Sequence, residues 1–234
     1  MTHDDTDRPM WDGELLAEVI GRELARHNED VWSFEPFLEW IAEEARGRAE
    51  RHTRRRRDPD ELLRTGKAFH ARVLARRCSV GLVTAPAPLV TPPRLATPTQ
   101  ILDEARIAGA APCVDLAAAA GVGREIWDEP VEQWVMLPPR MPAGLRAIAL
   151  RIVGESMAPL IQSGDTVLVE LGAKLTRGHV IVARHPDDGY VCKRVEKLGR
   201  RTIHLASLNP AHGPVTIPRD ERLIVGTVRV VWRG

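Results

Sequence analysis

The stretch "RIVGESMAPLIQSGDTVLVEL", residues 151–171, decides how the rest of the chain is read. An apolar strand runs into Gly154, a lone hydroxyl follows at Ser156, and Met157-Ala158-Pro159 turn the chain. Gly164 and Asp165 then open a second strand. A serine after Gly-Glu is ordinarily a turn residue and nothing more. It gains chemical interest only if a base can reach it, and "YVCKRVEKL", residues 190–198, offers one. Strand alternation puts Val191, Lys193 and Val195 on one face and Tyr190, Cys192 and Arg194 on the other. A strand lysine ordinarily points to water. If the valines face inward, however, the Lys193 ammonium is inside as well. An unpaired buried ammonium is costly, and a lowered pKa relieves the cost. A neutral amine beside a serine hydroxyl is a general base, so Ser156 and Lys193 form a candidate Ser–Lys dyad.

Around this pair the texture is all-β. "DTVLVEL", "HVIVARH", "RTIHLASL" and "RLIVGTVRVVWR" are short, rich in Val and Ile, and separated by Gly, Pro, Asp or Asn. Residues 113–234 are therefore expected to form one β domain. Asp165 and Asn209 are read as turn residues, and Met157 and Pro159 as structural supports of the Ser156 turn. Residues 79–112 are expected to be a linker with a short helix. Five prolines between 79 and 98 oppose a helix or a central strand. "TPTQILDEARIAG" starts a helix with Thr97 as cap and Pro98 in the first turn, and Gly109 ends it. Residues 1–78 read as helical, with Ser33 and Asp58 as caps and Pro59 in a first turn. The fold expected is thus α+β and multidomain, with a helical N-terminal domain followed by an all-β domain.

The chain has 234 residues and 44% apolar side chains, enough for a packed core. A net charge of +1 hides a strong asymmetry. Residues 1–45 carry 13 acidic and 3 basic side chains, whereas residues 46–77 carry 12 basic and 4 acidic ones. Cys78, Cys113 and Cys192 are scattered and lack metal-ligand spacing, as do His179, His185, His204 and His212. Neither a metal nor a cofactor is expected. The acidic N-terminus "MTHDDTDRPMWDGE" does not read as a secretory leader, and no apolar run approaches the roughly 18 residues of a membrane span. A cytoplasmic protein is expected.

"GESMAPLIQSGDTVLV", "HVIVARHPDDGYVCKRV" and "LASLNPAH" resemble the C-terminal domain of the S24 peptidases: LexA-type repressors, phage repressors and UmuD-type polymerase accessory subunits. That family shares ancestry with type I signal peptidases (S26). The resemblance covers residues 113–234. It implies that Ser156 is the nucleophile, that Lys193 is the base, and that the chain cuts itself. It further implies a homodimer formed through the C-terminal domain, and DNA or a RecA-type activator as partners in an SOS-type stress response or a phage switch. "TVRVVWRG" offers an apolar edge for pairing, although a buried strand would read the same. A true signal peptidase is disfavoured because no membrane anchor is seen.

Family cuts fall at an Ala–Gly or similar pair about three dozen residues before the serine. Ala120–Gly121 has Gly121 35 residues before Ser156, whereas Ala108–Gly109 has Gly109 47 before it. Ala120–Gly121 is favoured, because Gly109 already serves as a helix terminator; both remain candidates. Small residues suit a chain entering a tight cleft beside a buried lysine. Backbone N–H groups at Glu155 and Ser156 are the expected oxyanion donors. In the N-terminal half, Arg54, Arg55, Arg56 and Arg57 could touch phosphates or pair with the acidic segment. Gly66 lies between two helical stretches, as in a helix-turn-helix, but Leu62 occupies the place of the expected small residue. Trp11, Trp32 and Trp40 read as core or interface residues. DNA binding and protein-partner binding both stay open for this half.

Overall fold

The computed structural model describes residues 59–92, 97–115, 126, 131, 133–139, 141–142, 144–186 and 189–234. The expected helices before residue 59, Ser33, Asp58, Arg54–Arg57 and the three N-terminal tryptophans lie outside the described residues. The chain divides into two units, Met1–Leu74 and Ala75–Gly234. Of the first unit, only the start of helix α1 (Pro59–Arg77) is described. This helix runs unbroken through Gly66, so the turn that a helix-turn-helix needs at that glycine does not form. One glycine costs a helix only about 1 kcal/mol, which a 19-residue helix absorbs.

The second unit is built on one sheet. Its strands are β1 (Gly81–Val83), β2 (Leu89–Val90), β3 (Ala110–Asp115), β4 (Gln133–Met136), β5 (Ala147–Arg151), β6 (Thr166–Leu171), β7 (Val180–His185), β8 (Gly189–Leu198), β9 (Thr202–Ala206), β10 (Val215–Pro218) and β11 (Ile224–Trp232). Their order is β10-β9-β8-β7-β11-β6-β5-β3-β4-β2, with β1 beside β11. Most neighbours are antiparallel; β3 with β5 and β1 with β11 are the parallel pairs. All five strands expected after Asp165 are present within a residue or two.

The proline-rich stretch is not merely a linker. Its prolines flank two short strands rather than interrupt them. β1 joins β11 through the Gly81↔Val230 register, and β2 pairs with β4 at the end of the sheet order. An edge strand can tolerate nearby prolines, because one side of its ladder is free. Helix α2 (Pro98–Ile107) follows the expected plan. Thr97 Oγ1 accepts from the Gln100 amide at 3.3 Å, and Gly109 ends the helix at φ +67°.

"TVRVVWRG" presents no free edge. β11 pairs with β6 along one side, and with β7 and then β1 along the other. Val228, Val230, Val231 and Trp232 are buried. The apolar run is that of a strand buried on both faces. Gly226 is required there, since a Cβ at that position would lie 2.1 Å from the Glu170 carbonyl oxygen.

Among the described residues, two of the apolar clusters that pack on the sheet frame the site. One gathers Ala111, Val135, Ala149, Leu168, Val230 and Trp232. The other gathers Ile181, Ala183, Val195, Ile203, Leu205 and Ile217, with Val191 packed against it. The second cluster lies beside the candidate site.

Candidate functional site

β5 and β6 are neighbouring antiparallel strands, and the loop between them carries Ser156. The ladder continues past β5 itself: the Ile152 amide donates to the Asp165 carbonyl at 2.8 Å, and the Gly164 amide to the Ile152 carbonyl at 2.9 Å. Residues 153–163 are thereby pinched into a compact loop. Inside it, the Ala158 amide donates to the Glu155 carbonyl and the Ile161 amide to the Met157 carbonyl. Met157, Leu160 and Ile161 are buried beneath it, as expected for Met157. Ser156 stays half-buried at the rim.

Asp165 does more than turn the chain. It is 3% exposed. Its carboxylate accepts from Arg233 Nη1 at 2.6 Å, from the Gln162 amide at 2.8 Å and from the Gly234 amide at 3.2 Å. Arg233 also donates to the Pro159 carbonyl at 2.9 Å. A buried charge is tolerated only when it is paired and hydrogen-bonded. Here the pairing ties the end of β11 to the serine loop. The partners lie 68 residues apart in sequence, so the turn signal at Asp165 gave no hint of the ion pair.

Lys193 sits in the middle of β8. The register pairs it with Ile181, and Val191 and Val195 flank it on the same face, so its stem lies against the second apolar cluster. The residue is 7% exposed, and burial pushes its pKa below the ordinary lysine value of 10.5, with the neighbouring Cys192 opposing weakly. Arg194 pairs with Ala206 on β9, and the next step brings Ser207 beside Lys193. Lys193 Nζ donates to Ser207 Oγ at 2.8 Å, and Ser207 Oγ donates to the Gly213 carbonyl at 3.1 Å. Because the single hydroxyl proton of Ser207 serves Gly213, its oxygen is left to accept from the lysine.

The tripeptide Ser207-Leu208-Asn209 touches both candidate residues. While Ser207 holds Lys193, the amides of Leu208 and Asn209 both donate to the Ser156 carbonyl at 3.0 Å. Asn209 Nδ2 donates to the Glu155 carbonyl at 3.0 Å, and Asn209 Oδ1 closes its own turn on the Ala211 amide at 3.0 Å. Asn209 therefore keeps the expected turn role and adds a second one. In a trans peptide the C=O and the following N–H point opposite ways. With the Glu155 carbonyl held by Asn209, the Ser156 N–H is aimed away from that side.

Ser156 and Lys193 line one cleft of about 120 Å³ with Ile152, Met157, Tyr190 and Cys192 among its walls. The Cys192 thiol is pushed up to about 12, first by burial, which leaves it a protonated wall group. Among the described residues, no three His, Cys, Asp or Glu side chains converge as a metal site would require, and no helix is long and apolar enough to cross a membrane. Ala120 and Gly121 lie outside the described residues. Ala108 and Gly109 are described: Ala108 caps α2, and the Gly109 carbonyl accepts from the Leu137 amide at 2.9 Å. Ser207 and the Asp165–Arg233 pair were not anticipated. Ser207 lies within "LASLNPAH", but a serine at a strand end looks like any other.

The Peptidase S24-like family model matches residues 112–229. The LexA repressor of Shewanella woodyi is 34% identical over 108 residues, covering 43% of this chain and 52% of that one. The LexA repressor of Shewanella oneidensis is 33% identical over 108 residues with the same coverage. The chain thus spans about half the length of the curated relatives it matches. With the matched region taking in the Ser156 loop, β8 and the 207–209 bridge, this chain belongs to the S24-like peptidase family.

Proposed function

We propose that the chain is a self-cleaving serine endopeptidase of LexA-like type. Ser156 is its nucleophile, Lys193 its general base, and Ala120–Gly121 the bond it cuts. One observation carries the reading: a lysine 7% exposed shares a small cleft with a serine, and one tripeptide braces both. A neutral Lys193 amine keeps two N–H groups and a lone pair. One N–H serves Ser207, and the lone pair takes the Ser156 proton as Oγ attacks the Ala120 carbonyl carbon. The Ser156 amide faces the developing oxyanion. The C–N bond then breaks, and the protonated lysine returns its proton to the Gly121 amine. Water, deprotonated by the same lysine, hydrolyses the acyl-enzyme. Attack within one molecule avoids the entropic cost of capturing a substrate. Ala108–Gly109 is the poorer candidate, because its backbone is committed to a helix cap and to Leu137.

In this reading the domains are a helical portion over residues 1–78, a connecting stretch over 79–112 and the peptidase domain over 113–234. Cleavage separates the first from the last and inactivates a transcriptional regulator of the stress or phage type. A second reading rests on the acidic first 45 residues, with 13 acidic against 3 basic side chains, which repel phosphate. There the N-terminal portion binds a protein and cleavage releases it. Binding of the full Ser156→Ala chain to duplex DNA, followed across salt concentration, separates the two.

The protease assignment is tested by incubating the chain at alkaline pH and reading intact mass. Two fragments joined at 120/121 are expected. Ser156→Ala and Lys193→Ala should each stop the cut without changing the circular dichroism spectrum. Fragments that persist in Ser156→Ala would end the assignment.

A further inference from the structure

The Tyr190 hydroxyl has no part in the mechanism above, yet Tyr190 lines the same cleft as Ser156 and Lys193. Its oxygen accepts a hydrogen bond from the Ile126 amide at 3.1 Å, across 64 residues of sequence. Ile126 is 3% exposed, so it is packed into the protein rather than resting on it. Ile126 also lies five residues beyond Gly121. On the other side of the expected cut, β3 ends at Asp115, which pairs in register with Arg151, five residues before Ser156. The two described positions that bracket residues 116–125 are therefore each tied to a strand that leads to the cleft. One is fixed to the strand that delivers the serine, the other to the strand that delivers the lysine, three residues before it.

We propose, on the Ser–Lys reading given above, that Tyr190 is a positioning residue for self-cleavage. Its hydroxyl fixes the chain on the C-terminal side of the scissile bond and so sets which bond is offered to Ser156. The donor is a backbone amide, so the contact holds whatever side chains follow Gly121. A phenol is suited to the task under the alkaline conditions in which a lysine base works, because it accepts a hydrogen bond both as the hydroxyl and as the phenolate.

The test uses the full chain and two readouts. The first is the rate of self-cleavage by intact mass. The second is the rate at which a fluorophosphonate probe labels Ser156, which needs the activated serine but not the bound segment. Tyr190→Phe keeps the ring and removes the acceptor. It should slow self-cleavage about three- to tenfold, the range of one net hydrogen bond, and leave labelling at the wild-type rate. Ile126→Pro, which removes the donor, should slow cleavage too, and the double variant should be no slower than Ile126→Pro alone. Ile126→Val keeps the amide and should cleave at close to the wild-type rate. Cleavage by Tyr190→Phe at the wild-type rate would overturn the proposal. So would equal losses of cleavage and labelling, or full additivity in the double variant. A wild-type chain that neither cleaves nor labels sinks the Ser–Lys reading itself, and the proposal with it.

Discussion

Removing Arg233 tests whether the loop that carries Ser156 is held by a buried ion pair. In Arg233→Met the Asp165 carboxylate, with a side chain 4% exposed, loses its 2.6 Å partner and keeps only two amide donors. The Pro159 carbonyl loses a 2.9 Å donor as well. Breaking a fully buried pair costs about 3–5 kcal/mol. The Arg233 side chain is 22% exposed and the carboxylate keeps two N–H bonds, so the lower end applies, about 3 kcal/mol. For a chain of this size that lowers Tm by roughly 6–12 °C. The assay is thermal unfolding followed by tryptophan fluorescence in the Ser156→Ala background, with buried Trp232 adjacent to the change as reporter. Adding Asp165→Asn removes the stranded charge and should recover at least half of the loss. A fall of under about 2 °C, or a double variant less stable than Arg233→Met alone, would refute the view that the pair restrains the loop.

The pH dependence follows from Lys193. Only its deprotonated amine is a base, and burial lowers its pKa below 10.5. Self-cleavage should therefore rise with pH and level off before the ordinary lysine range; a flat profile from pH 6 to 10 contradicts the dyad. Ser207→Ala removes the acceptor that favours the ammonium, so the midpoint of that profile should move to lower pH. Its plateau should fall by roughly threefold or more, because the amine is no longer aimed. An unchanged midpoint and plateau would show that Ser207 has no hold on the lysine. Gly121→Leu should block the cut at 120/121, and intact mass would register an unshifted full-length chain.

Much of the peptidase region is written locally. Alternation over 190–198 placed Lys193 on the Val191–Val195 face, and that face does pack against an apolar cluster. Thr97, Pro98 and Gly109 carried the whole plan of helix α2, because caps depend on a few adjacent residues. The proline count between 79 and 98 was misleading, because it weighs the residues around a strand as heavily as those within it. Gly81–Val83 and Leu89–Val90 become strands only because β11 and β4 are there to pair with them. The run at 227–234 was ambiguous for the same reason, since edge and buried strands share a composition.

From its sequence alone this chain disclosed a serine on a turn after a strand, a lysine sharing a strand face with two valines, and the succession of strands that carries them. Each of these depends on neighbours a few residues away. The tertiary structure decided that Ser207, Leu208 and Asn209 brace both residues, that Arg233 anchors the serine loop through Asp165, and that Tyr190 meets Ile126. Those contacts join residues 14 to 68 positions apart. They arise from sheet order and register, which no local periodicity encodes.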